Sequence, residues 1–281
     1  MLATPFDLMH HPGTLLFGRG VMQVGEQVQL APVTVASDLR LGDLCAALAA
    51  GWRDFAACPV FGLFFGGIYV AAGIFLYYAL FNWGAVVWLI PAAAGFPLLA
   101  PFVAVGLYEV SRCREEGLPR SWSAVLGAMR GRGDEQILSM GVIVFVAFGF
   151  WLMIAHGIFA VFMAESGIGS ESLALFTTPA GIAMLVVGTV VGAVMALAFF
   201  AVTVVSLPML VDREVDFLTA IIVSLGTVRS NRFVMVTWAV WIAAGIFMAM
   251  IPLFLGLLVA LPVFGHATWH LYRRVVSGGG A

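Results

Sequence analysis

Ionisable residues are scarce in this chain, and those that could do chemistry gather at the edges of apolar runs. Arg53 and Asp54 stand just before a run that begins at Pro59. Glu109 and Arg112 lie three apart at the end of a second run, and Asp212 and Arg213 follow another inside "PMLVDREVDF". Neighbouring acids and bases could exchange protons or hold a charged group. At a partly dehydrated boundary, however, an unpaired charge is costly, so these six residues are read as structural or interface charge pairs that join helices at their ends. Glu109 and Arg112, at i and i+3, share a helical face and can pair.

The histidines raise metal chemistry. His266 and His270 are spaced i, i+4 and could hold an ion on one helical face, but no third acid or thiol stands beside them in sequence. His156 lies about 19 residues along an earlier span, about 28 Å from its inner edge, too far to share a haem iron with the other two. No metal or cofactor is therefore expected. Cys45, Cys58 and Cys113 cannot complete a disulfide framework and are read as free thiols. The chain contains no nucleophile elbow, P-loop, HExxH or Cys-x-x-Cys, and no catalytic residue is assigned.

The elements that must position these residues follow from composition. Hydrophobic residues make up 62 % of the 281 and charged residues 10 %. A soluble domain carries about 25 % charged residues, so this chain is expected to live in a bilayer. Its net charge of −2 gives no basis for a nucleic-acid partner. The opening "MLATPFDLMHHPGTLLFGRG" has no basic residue before Arg19 and no unbroken apolar core, and is not read as a secretory signal.

Six spans are expected: Pro59–Ala79, Gly84–Leu107, Ile137–Phe162, Thr177–Val205, and two from the run Phe233–Leu271 folded back near Met250–Pro252. The predicted class is all-α: a polytopic membrane protein with three transmembrane hairpins, each preceded by an interfacial amphipathic helix. Those helices are "SDLRLGDLCAALAAGWRDF", with Leu41, Leu44, Leu48 and Trp52 on one face and Ser37 or Asp38 as N-cap; "SWSAVLGAMRGRGDE", with Trp122, Val125 and Met129; and "DFLTAIIVSLGTVRSNR", with Leu218, Ile221, Leu225 and Val228. Residues 1–36 are read as a flexible tail, 37–275 as the membrane domain with repeats at 38–118, 119–214 and 215–275, and 276–281 as a second flexible tail.

With six spans every Arg-bearing loop falls on one face. The opposite loops carry Glu165 and Glu171 and no Arg, so both termini are expected in the cytoplasm. No Asp, Glu or Arg falls inside a span. The polar residues there are Ser139, His156, Thr177, Thr178, Thr189, Thr203 and Thr237, whose default is bonding within their own helix, and ion-coupled transport is disfavoured. Gly62/Gly66 and Gly188/Gly192 form small-residue stripes expected at helix–helix contacts. Pro208 is expected to bend the end of the fourth span.

The blocks "GWRDFAACPVFGLFFGGIY", "GFPLLAPFVAVGLYEVSRCREEG" and "SLPMLVDREVDFLTAIIVSLGTVRSNRFVMVTWA" resemble a family of uncharacterised bacterial integral membrane proteins, over about residues 38–275. Some relatives bear a provisional label as cytochrome c oxidase subunits. The resemblance implies a six-span protein of the bacterial inner membrane and suggests an accessory or assembly role beside a respiratory complex. The expectation is a non-catalytic protein whose partners are the lipid bilayer and other membrane proteins, a respiratory complex or further copies of itself. A small-solute channel or permease is the alternative.

Overall fold

A backbone surrounded by hydrocarbon must satisfy its own hydrogen bonds, and this one does so as helices. The computed structural model describes residues 34–83, 100–128, 136–163 and 177–277, with side chains from 103 onward in the second stretch; they belong to the compact unit Val33–Ala281. In chain order the elements are β1 (Thr34–Val35), α1 (Leu41–Ala57), α2 (Pro59–Asn82), α3 (Ala100–Glu115), α4 (Trp122–Gly127), α5 (Gln136–Met163), α6 (Pro179–Thr203), α7 (Ser206–Asp212), α8 (Phe217–Ser230), α9 (Arg232–Met250), α10 (Leu257–Val275) and β2 (Val276–Ser277).

Among the described residues four helical stretches are long and apolar enough to cross a membrane: Pro59–Asn82, Gln136–Met163, Pro179–Asp212 and Arg232–Met250. Most of the expected second span, 84–99, lies outside the described residues, as do Glu165, Glu171 and Met129. The expected sixth span differs in kind. α10 is the buried axis of the protein, packed on α1, α2, α3 and α9, with Leu257, His266, Ala267, Trp269 and Val275 fully enclosed. The six-span hairpin arrangement is thus seen only in part.

Small residues explain how α10 reaches the centre. A Cβ on Gly51 would lie 2.6 Å from both the Ala267 nitrogen and the Val263 oxygen, so α1 and α10 touch backbone to backbone. On α2, Gly66 meets the Leu258 Cα at 2.9 Å and Gly62 meets Phe55 and Pro262. This close approach sets which face of α1 turns inward. It buries Leu44, Ala47, Gly51, Asp54 and Phe55 and leaves Leu41 and Trp52 outside. Its N-cap is Arg40, not Ser37 or Asp38, because Asp43 reaches back and accepts from the Arg40 N–H at 2.8 Å.

α8 turns small and polar residues inward: it buries Ala220, Ser224 and Thr227, while Leu218 and Leu225 stay exposed. α6 breaks at Val204–Val205, four residues before Pro208, whose ring has no N–H and crowds the Val204 carbonyl. Ser224 patches the break. It accepts from the Val205 N–H at 3.2 Å and donates to the Ala201 carbonyl at 2.7 Å. The turn after α9, Ile251–Gly256, places Leu253 (φ 49°) and Phe254 (φ 66°) in the left-handed region, and Phe254 packs against the bare face of Gly73.

Two short strands flank the helices. β1 and β2 pair antiparallel, Thr34 opposite Ser277, and Ala36 N–H donates to the Val275 carbonyl. Asn231 fastens this strand by accepting from the Leu39 N–H (3.2 Å) and donating to the Ala36 carbonyl (2.8 Å). The chain therefore enters and leaves the helical body side by side.

Candidate functional site

The last half of α10, "HATWHLYRRV", carries a comb of donors into acids on three other elements. Its deepest part is a hub around Asp54, which the last turn of α1 holds at 5 % exposure. Arg114 Nη1 reaches Asp54 Oδ1 at 2.6 Å; Ser111 Oγ (2.6 Å) and His270 Nε2 (2.8 Å) reach Oδ2. Ser111 and Arg114 are one turn apart on α3, and His266 and His270 one turn apart on α10, so each helix offers two groups on one face. Burial opposes ionisation of Asp54, but the hydrogen bonds from His270 and Ser111 outweigh it and hold the carboxyl below its ordinary value of 3.8.

Proton counting fixes the rest. The single Ser111 proton goes to the charged carboxylate, so the 2.7 Å contact between Ser111 Oγ and His266 Nδ1 requires the imidazole to donate from Nδ1. His266 Nε2 is then a lone pair, fully buried and without a hydrogen-bond partner among the described residues. The result is a hydrogen-bonded line His270–Asp54–Ser111–His266 running from half-exposed to enclosed.

Asp212 ends α7 as a second hub. Its Oδ2 accepts from Tyr272 Oη (2.6 Å), Arg273 Nη1 (3.2 Å) and Arg213 Nε (3.4 Å). Arg273 Nε also donates to Glu115 at 3.1 Å, and Trp269 Nε1 donates to the other Glu115 oxygen at 3.0 Å. Arg274 reaches Asp38 and Asp43 at the start of α1. Thus α1, α3 and α7 are all tied to the end of α10.

Of the six charges singled out in the sequence, Arg213 reaches its neighbour Asp212 at 3.4 Å, and the other five fall into three situations. Asp54 and Asp212 bond across helices, but mainly to residues other than their sequence neighbours. Glu109 and Arg112 pair along α3, with Nη2–Oε1 2.5 Å and Nε–Oε2 2.7 Å, and Arg112 also reaches Glu116 at 2.6 Å. Glu109 holds the guanidinium above its usual range. Burial and a bond to Glu109 push the Cys113 thiol up to about 11, which keeps it protonated and unreactive. Arg53 is exposed and has no acidic partner among the described residues; it drops out of the set because α1 turns Asp54, not Arg53, toward α10.

Sequence reasoning missed Ser111, Arg114, Glu115, Trp269, Tyr272, Arg273 and the joint role of His266 and His270. The available signal was the polar density of α10 itself, unusual for a helix with eleven buried residues. Of the glycines, Gly62 and Gly66 sit against neighbouring helices, and Gly192 faces the Trp151 ring at 2.9 Å. Gly188 has nothing within 4 Å of where its Cβ would be. His156 is exposed on α5, away from the α10 cluster. Among the described residues no group of three or more His, Cys, Asp or Glu is arranged to hold a metal ion.

No curated protein and no solved structure matches the chain. A family match covers residues 89–212, narrower than the 38–275 over which the sequence resemblance was read. That stretch carries Ser111, Arg114, Glu115 and Asp212, the α3 and α7 share of both hubs, together with the Glu109–Arg112 pair. The matched family model is described as "Predicted integral membrane protein (DUF2189)", and the chain is an integral membrane protein built of several apolar helices.

Proposed function

We propose that the protein is a non-catalytic integral protein of the bacterial inner membrane that works by lateral contact with other membrane proteins, as an accessory or assembly subunit. In this reading the chain crosses the bilayer six times and both ends of the helical body face the cytoplasm. The pairing of β1 with β2 supports the two ends sharing one side, and the arginines at that end support its being the cytoplasmic one. The resemblance to relatives provisionally labelled as oxidase subunits is what suggests a respiratory complex as the partner.

The observation that carries the reading is the state of α6. Only 6 % of its membrane-length stretch is buried within the chain, and Ile182, Val186, Val190 and Val194 are exposed around Gly188. The polar hubs, by contrast, are spent on holding α10 in place. A channel or permease would need a polar lumen, whereas the cavity between α3, α6, α9 and α10 is lined by apolar side chains apart from Tyr108, Thr203 and Thr268.

The test is a mild-detergent pull-down of the full chain carrying Gly188→Cys, with photo-cross-linking from that thiol and mass spectrometry of the product. A membrane protein joined at position 188 in stoichiometric yield is expected. Cross-links to lipid alone would overturn the reading.

A further inference from the structure

A cavity of about 450 Å³ lies between α3, α6, α9 and α10. Its walls meet at small residues: Ala104 on α3, Ala193 and Ala196 on α6, Ala239 and Ala243 on α9, and Gly265 on α10. Such residues normally let helices close on each other. Here they leave a gap, propped by Phe200, Phe247 and Phe264. The floor is closed, with Leu107 at 1 % and Val204 at 6 % exposure. The side toward α6 and α9 is open, with Leu197 at 38 %, Val240 at 57 % and Phe247 at 49 %.

The lining chemistry selects the occupant. The Thr203 and Thr268 hydroxyls donate to the carbonyls of Phe199 and Phe264 in their own helices, at 2.9 and 2.8 Å, so neither has a donor left for an occupant. Tyr108 supplies the one other polar side chain of the lining. Apolar cavities stay dry, and a gap of this size left empty forfeits the dispersion contacts of its whole lining. A cavity of roughly 150 Å³ takes a six-carbon ring. This one is about three times larger, space on the order of eighteen carbon atoms, and within the roughly 300–1,000 Å³ of ordinary ligand sites.

We propose that this cavity is a binding site for one hydrocarbon chain of a bilayer phospholipid, entering sideways between α6 and α9. The open wall belongs to two of the membrane-length stretches, so its mouth faces hydrocarbon, and the occupant needs no polar recognition inside. The site requires no protein partner at α6.

The test uses the full chain reconstituted in dioleoylphosphatidylglycerol vesicles, re-extracted in mild detergent and washed, with bound lipid counted by extraction and mass spectrometry. Wild type is expected to retain one phospholipid per chain more than the cavity-filling variant Ala196→Phe/Ala243→Phe. Because that double variant could fail to fold, Ala239→Leu provides a smaller filling, expected to lower retention several-fold while cooperative thermal unfolding persists. Equal retention by wild type and a folded variant would overturn the site. In parallel arms with free oleate or an isoprenoid alcohol, preferential retention of either over phospholipid would overturn the assigned source.

Discussion

The α10 junction and the α5–α6 pair are both helix contacts, yet they are built from opposite materials. At the junction, glycines bring backbones together and the acids on α1, α3 and α7 meet the donors of α10. Between α5 and α6 the contact is a few large side chains: Trp151 over Gly192, and Met163 packed with Met184. The inner part of the junction, around Asp54, Ser111 and His266, is buried, so each polar group there needs a partner, and nearly all have one. The α5–α6 pair leaves most of its surface uncovered, where a bilayer exacts no penalty from apolar side chains. The protein thus invests its specificity at one end of one helix and leaves the rest to the solvent it lives in.

If the junction is the part that must fit, Gly51→Leu has the largest effect expected. The added side chain would meet backbone on α10, which cannot swing aside. The cost should exceed about 3 kcal/mol, the upper end of ordinary overpacking. Folded yield in detergent, read by size-exclusion chromatography, should collapse. A monodisperse Gly51→Leu protein with wild-type melting would show that α1 and α10 do not touch as described.

Next comes Asp54→Asn. It keeps the shape but leaves Arg114 and His270 without their carboxylate and Ser111 without its charged acceptor. Breaking a buried pair from one side costs about 3 kcal/mol or more. The pH dependence has a definite sign. The Asp54 carboxyl titrates lower in the folded protein than its ordinary 3.8, so its stabilisation is present above that value and is lost as pH falls through the folded value. Wild type should therefore lose stability below about pH 4, and Asp54→Asn should lose less over the same interval. Parallel acid melting curves for the two proteins would remove Asp54 as the hub.

Much of the architecture could be read from the residues themselves. Four apolar runs announced the membrane, Pro59 and Pro179 stand at helix starts, and Pro208 marked the break that Ser224 repairs. Faces were less legible. The stripe Leu41–Leu44–Leu48–Trp52 was expected on the membrane-facing side of an interfacial helix, and Leu41 and Trp52 lie outside the protein while Leu44 is buried. What the stripe could not show is the inner face, which is set by Ala47 and Gly51, residues that permit approach. On α8, likewise, Ser224 and Thr227 are buried and Leu218 is not. The charge pairs were expected to join helices at their ends. Their partners on other helices, as with Asp54 and His270, were not legible, because no single-sequence pattern links residues on separate helices.

Glu109→Gln should matter less than Asp54→Asn. Arg112 keeps Glu116 at 2.6 Å, and the whole set lies along one helix, so no interhelical tie is lost. About 1.5–3 kcal/mol is expected, the scale of a lost hydrogen bond to a charged group. A larger loss, equal to that of Asp54→Asn, would mean that α3 is held by this triad and not by the hubs.

The two glycines of α6 give the finest division between the regions. They are one turn apart, yet a Cβ at Gly192 would lie 2.9 Å from the edge of the Trp151 ring, while one at Gly188 would meet nothing. Gly192→Leu should cost about 1–2 kcal/mol, because the contact is the far end of a side chain that can shift. Gly188→Leu should leave thermal stability of the isolated chain within about 0.5 kcal/mol, as for a substitution that meets no neighbour. The same variant should nevertheless weaken association if a second helix packs there, since a leucine would hold the two backbones apart. Melting and cross-linking therefore answer separate questions at one position. A shift in melting without a change in cross-linking would place position 188 inside the fold, and the contrast between the two faces of α6 would fall with it.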